Sequence, residues 1–230
     1  MSDQSANDLI HALAEDLEPV RPIPRLRTLL AGLAVTWLVV VGLAIVVRGL
    51  RDDWLEMALT PFGTGGLFIG LGVLGVGGLT AALALGIPGR EATARLGIGA
   101  ALAGLAYAAG VGTVLFIESP VVEWAGNLRG DLTCLGTALA VGLVPGLGIA
   151  SFAGRAAAFR PLVLALAAAA GTAALGAAAA QAMCPSDDIG HLVLGHLLAP
   201  GLGALILTLP LLVALRRGAR VVGPAGSGQP

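Results

Sequence analysis

Apolar residues in this chain fall in long runs, and polar residues gather in the short gaps between them. A bilayer core of about 30 Å needs roughly 20 apolar residues per helix. Six stretches meet that need: Thr28 to Val47, Gly63 to Ile87, Leu96 to Ile117, Leu132 to Ala153, Pro161 to Met183 and Ile189 to Leu215. The pattern predicts an all-α, polytopic membrane protein with six transmembrane helices. It divides the chain into an N-terminal segment 1–27, a six-helix domain 28–217 and a disordered tail 218–230.

Composition points the same way. Of 230 residues, 57% are hydrophobic and 12% charged; soluble domains carry roughly 25% charged residues. A soluble body of this size has too little interior to hide so much apolar surface. The first 20 residues are acidic and polar, so no cleaved signal peptide is expected. All 13 basic residues are arginine and form no basic patch, so direct nucleic-acid binding is not expected.

The charges select an orientation. With the N-terminal segment placed in the cytoplasm, ten arginines fall on that side: Arg21, Arg25, Arg27, Arg90, Arg95, Arg155, Arg160, Arg216, Arg217 and Arg220. Three fall on the far side: Arg48, Arg51 and Arg129. The positive-inside rule then puts both termini in the cytoplasm. If the chain is bacterial, the membrane is the inner membrane and the far side is the oxidising periplasm. Trp54 and Trp124 fall near that outer interface.

Small residues recur every fourth position in three spans: Gly66 and Gly70; Ala100, Gly104, Ala108 and Gly112; Gly142, Gly146, Ala150 and Gly154. Such stripes let helix backbones approach closely in lipid, although an Ala/Gly-rich chain also produces them by chance.

The N-terminal segment reads as a short amphipathic helix. Ser5 to Asp8 resembles a capping box, and Leu9, Ile10, Leu13 and Leu17 share one helical face. Pro19 ends it, and Pro22 and Pro24 form an extended linker. A helix of three or four turns is not stable alone in water. Helices that seek a membrane surface are rich in Lys and Arg, whereas this one carries Asp8, Glu15, Asp16 and Glu18. A groove on a basic protein partner suits it better.

Candidate chemistry is sparse. The spans contain almost no ionisable group; His196 and Gln181 lie deepest, which argues against a proton-coupled pump. Cys134 begins the fourth span and Cys184 comes just after the fifth, so both thiols are expected at the outer face. A paired role competes with that of two small hydrophobes, and the shared depth favours the pair. Two cysteines with His191 and His196 are a possible ligand set for a soft metal. Five residues on an α-helix subtend about 140°, however, so the two histidines do not share a face. They read better as packing or interfacial residues. Asp187 or Ser186 is the expected N-cap of the last span. No GxSxG, HExxH or phosphate-binding loop is present, and an enzyme is not expected.

Four features together resemble a known family: the segment from Asp8 to Arg21, six spans, Cys134-Leu135 after the third loop, and Cys184-Pro185-Ser186-Asp187 leading to His196. The chain is similar to the NrsF-like bacterial membrane anti-sigma factors. The resemblance covers nearly the whole chain. It implies a regulator that holds an extracytoplasmic-function (ECF) sigma factor at the cytoplasmic face. Release would come with envelope stress, oxidative or heavy-metal. It implies Cys134 and Cys184 as the sensor, with His196 matching the histidine that closes the second motif; from the residues themselves, His191, His196 and Asp187 are candidate accessories and Leu9, Ile10, Leu13 and Leu17 the expected sigma-binding face. It implies no resident cofactor beyond a transient soft metal at Cys134 and Cys184. Where the family pattern places a polar residue before the second cysteine and a Trp before the last histidine, this chain has Met183 and Gly195. From the residues alone, a small transporter or channel for a metal ion or small molecule remains an alternative, as does a membrane thiol redox protein.

Overall fold

The computed structural model describes residues 24–119, 128–153 and 160–221. Helices α1 (Leu26–Arg48), α2 (Trp54–Leu59), α3 (Gly63–Leu85), α4 (Glu91–Glu118), α5 (Leu128–Ala153) and α6 (Pro161–Met183) come first. After them come one turn, α7 (Ile189–His191), a π-helical segment (Leu192–Leu197) and α8 (Ala199–Val221). Among the described residues there is no strand. Among the described residues six helices are long and apolar enough to cross a membrane, the sixth running from Ile189 to Arg216 through the π segment. The expected spans agree with these bounds to within a few residues. The short α2 has no counterpart in the sequence reading. The tail face Leu9, Ile10, Leu13 and Leu17, the residue Trp124 and the C-terminal stretch from 222 lie outside the described residues.

Glycine and proline mark the breaks. Gly49, Gly63 and Gly89 have φ of 82°, 63° and 78°, where a side chain would strain the backbone. Pro161 starts α6, at a position whose N–H has no helical partner to lose. Pro200 lies just past the π segment. It has no N–H to offer the His196 carbonyl, and a proline ring crowds the carbonyl four residues back. The turn before it is widened, with Leu198 N–H reaching Val193 O at 3.0 Å.

The core sits on α6. Ala168, Ala169, Ala173, Ala174 and Ala177 are fully buried on it, and α3, α5 and α8 pack around them. Leu79, Leu83, Ile149, Leu164 and Leu211 close one end of this core. Helix α1 is peripheral and has no fully buried residue. Val46 and Val47 on it are 84% and 82% exposed, as suits a side facing lipid chains. Hydroxyls within the spans bond back to the helix: Thr36 to Gly32 O, Thr113 to Ala109 O and Thr172 to Ala168 O. In hydrocarbon such groups must find partners inside the protein.

Helices α3 and α4 form the largest contact, and it is glycine-lined. A Cβ placed on Gly70 would lie 2.8 Å from the Ala108 Cβ, and one on Gly97 would lie 2.6 Å from the Ala81 nitrogen. Of the expected stripes, Gly66, Gly70, Gly104, Ala108, Gly142 and Gly146 face neighbouring helices, whereas Ala100 is exposed. Replacing Gly97 with leucine should force α3 and α4 apart. Overpacking typically costs about 1–3 kcal/mol, or about 2–4 °C of melting temperature per kcal/mol at this size. Gly99 has nothing within 4 Å of its would-be Cβ, so Gly99→Leu is the control. Thermal unfolding in detergent should separate the two variants; equal melting temperatures would contradict the packing.

Candidate functional site

At one end of the bundle, α5 and α6 bring two cysteines together. The helices pack closely because Gly142 and Gly146 on α5 face Thr172 on α6, while Gly176 on α6 faces Ala138. Cys134 lies near the start of α5, and Cys184 caps the end of α6. Their sulfurs are 3.5 Å apart as free thiols, with 5% and 3% of each residue exposed. The common depth expected from the sequence has become contact.

His191 joins them. Asp188 is the N-cap of α7 and accepts the His191 backbone N–H at 2.9 Å. The cap is therefore neither Asp187 nor Ser186, the residues expected from the sequence. The imidazole Nε2 lies 3.0 Å from Cys184 Sγ, and Nδ1 lies 2.6 Å from an Asp131 carboxylate oxygen. A carboxylate only accepts, so Nδ1 donates to it and Nε2 is aimed at the thiol. Asp131 precedes Cys134 by three residues on α5, and so lies on the same face of that helix.

His196 joins as well, which overturns the helical-wheel expectation. The α-helical geometry expected for Ile189 to Leu215 gives way at Leu192–Leu197 to π-helix, where hydrogen bonds close between residues five apart. His191 and His196 therefore meet edge to face on one side, with ring centroids 5.3 Å apart and planes at 69°. His196 is fully buried, and neither ring nitrogen has a hydrogen-bond partner. One ligating atom from each of Cys134, Cys184, His191 and His196 fits within a 4.8 Å span. Gly195 lines the same space: a Cβ there would lie 3.4 Å from the Cys134 Cβ.

A buried arginine holds the segment after Cys184. Arg51 donates to both oxygens of Asp53 at 2.6 and 2.8 Å, to both oxygens of Asp187 at 3.1 Å, and to the Cys184 carbonyl at 3.1 Å. Its own backbone N–H donates to Ala182 O. The hydrogen bonds to Asp53, then to Asp187, hold its pKa above the usual arginine value. Arg51 in turn holds Asp53 below the usual carboxylate range. Asp187 thus serves the arginine and does not touch the thiols through these bonds. In the sequence Arg51 reads only as a topological charge; its partner Asp187 is 136 residues away, and no local pattern joins them. Gln181 is buried and donates to Thr64 O at 2.6 Å, tying α6 to the start of α3.

Removing the clamp should loosen Cys184. Arg51 bonds the Cys184 carbonyl and Asp187 at once, although solvent screens part of the clamp because the carboxylates are exposed. Arg51→Gln should therefore raise the maleimide labelling rate of Cys184 by roughly tenfold, the equivalent of about 1.4 kcal/mol. A Cys134→Ser background isolates the one thiol. An unchanged rate would show that Arg51 does not hold the segment.

No curated protein and no solved structure matches the chain significantly. A family model, described as negative regulator of sigma F, matches residues 13–217. That stretch takes in all six long apolar spans, both cysteines, both site histidines, Asp131 and Arg51. The chain therefore belongs to the NrsF family of negative regulators of a sigma factor.

Proposed function

We propose that this regulator holds an ECF-type sigma factor at the cytoplasmic face of the bacterial inner membrane and releases it under envelope stress. The observation that carries the sensing part is the 3.5 Å approach of Cys134 and Cys184 at one end of the bundle. The arginine bias of ten to three supports placing that end in the periplasm and both termini in the cytoplasm. An oxidant or a thiophilic metal reaching the two thiols would join them, either as a disulfide or through the ion. Helices α5 and α6 are the natural levers. Each carries one cysteine at the sensing end, and each reaches the opposite end of the bundle at Ala153 or Pro161.

The interior supports a regulator over a conduit. At mid-depth it is filled by Leu71, Leu74, Ala138, Ala174 and Ala177. Binding is assigned to the N-terminal segment 1–27, whose acidic amphipathic pattern suits the basic surface that a sigma factor offers to DNA. The family match begins at residue 13, within that segment.

Burying a leucine side chain contributes roughly 1.5–3 kcal/mol, and a charge in its place leaves an unpaired ion in the groove. Leu13→Asp combined with Leu17→Asp should lower sigma-factor capture by roughly a hundredfold or more, while membrane insertion is unchanged. The measurement is co-purification of the sigma factor from membranes containing matched amounts of each variant. Undiminished capture by the double variant would place the binding surface elsewhere.

A further inference from the structure

We propose that Cys134, Cys184, His191 and His196 form a closed four-coordinate site for a thiophilic d10 cation, with Zn2+ as its representative and Asp131 as an outer partner behind His191. The proposal deepens the sensing reading above and rests on it for biological meaning. The binding itself is a property of the purified chain.

Geometry comes first. Tetrahedral zinc has bonds of about 2.3 Å to sulfur and about 2.0–2.1 Å to nitrogen, which puts neighbouring donor atoms roughly 3.3–3.8 Å apart. The two sulfurs are already 3.5 Å apart, and Cys184 Sγ is 3.0 Å from His191 Nε2. All four donor atoms lie within 4.8 Å of one another. Small side-chain rotations suffice to close the set around an ion.

His196 is the observation that a thiol pair alone leaves unexplained. It is 0% exposed and both nitrogens are unpartnered, a condition that buried polar groups avoid. A disulfide between the cysteines would leave it so. A metal ion would take one of its two nitrogens. The π-helical segment serves the same end: such segments are uncommon and recur at functional sites, and this one turns His196 toward the thiols.

Asp131 completes the arrangement. Metal-bound histidines commonly give their second ring N–H to a carboxylate, which fixes the tautomer and aims the free nitrogen at the ion. His191 has that geometry, with Nδ1 on Asp131 and Nε2 toward Cys184.

Charge balances too. Binding replaces the two thiol protons: M2+ plus two Cys–SH and two neutral imidazoles gives a neutral complex of two thiolates and two imidazoles, and two protons pass to solvent. A neutral complex is tolerable at a buried position where a bare dication is not. Two sulfurs and two nitrogens in a closed set favour Zn2+ or Cd2+ over Mg2+ and Ca2+, which take oxygen ligands. The exposed residues Pro185, Asp187 and Asp188 lie in the segment that joins Cys184 to His191.

The test uses the full chain, reduced, metal-free and in detergent. Co2+ should bind one per chain with the intense visible bands of tetrahedral thiolate coordination, and Zn2+ should displace it. His196→Ala removes a ligand and should weaken Zn2+ binding by at least what losing an outer partner costs, about tenfold or more. Asp131→Asn keeps every donor atom and should cost about 10–100-fold. Circular dichroism and elution volume report whether each variant is folded. Absence of stoichiometric Co2+ or Zn2+ binding by the folded wild-type chain would overturn the proposal. So would unchanged Zn2+ affinity in folded His196→Ala or, should that variant not fold, in Asp131→Asn. Sigma-factor capture by the same wild-type preparation separates the two readings: metal binding without capture sinks the regulatory reading alone, and capture without metal binding sinks this one alone.

Discussion

Backbone approach between α5 and α6 is the contact on which the cysteine end of the bundle depends. Glycines at 142, 146 and 176 leave room where side chains would otherwise keep the helices apart. Lipid gives no hydrophobic drive to bring two such helices together, so close van der Waals packing has to do it. Once they are close and antiparallel, the start of one and the end of the other coincide. That coincidence sets Cys134 against Cys184 and puts Asp131 within reach of His191. The alanine-rich α6 makes the same accommodation toward α3 and α8. Helix packing therefore sets the distance between the two thiols.

A second constraint comes from the backbone near Pro200. A proline there deprives His196 of its α-helical partner, and the chain answers with a wider turn. The widening turns the helix beyond His191 far enough to bring His196 to the same side. Arg51 then fastens the exposed segment between α6 and α7 by its carbonyl and its acids. Packing, a local helix defect and one buried cation thus converge on one small volume around two thiols.

Much of this is legible in the sequence. Run length alone locates the six spans, because a bilayer leaves helices little freedom in length. Span direction places Cys134 and Cys184 at one depth, and the close packing of α5 and α6 turns that depth into contact. The histidines are harder to read, because a 3.6-residue period fails in a segment that is not α-helical; Pro200, four residues after His196, is the available clue. Arg51 is out of reach, since pairing an arginine in one loop with an aspartate in another requires the fold. Asp131 is closer to hand: its i, i+3 spacing to Cys134 puts both on one face, but nothing in the spacing points to His191.

The central claim is that the two thiols act as one sensing unit for a sigma factor held at the opposite membrane face. Induction of a sigma-dependent reporter by an oxidant or Cd2+ tests it directly, with Cys134→Ser, Cys184→Ser and the double variant at matched abundance. If the thiols are one unit, each single change abolishes induction and the double variant behaves like either one. Wild-type induction in either single variant would contradict the account and leave Cys134 and Cys184 as neighbours without a shared task.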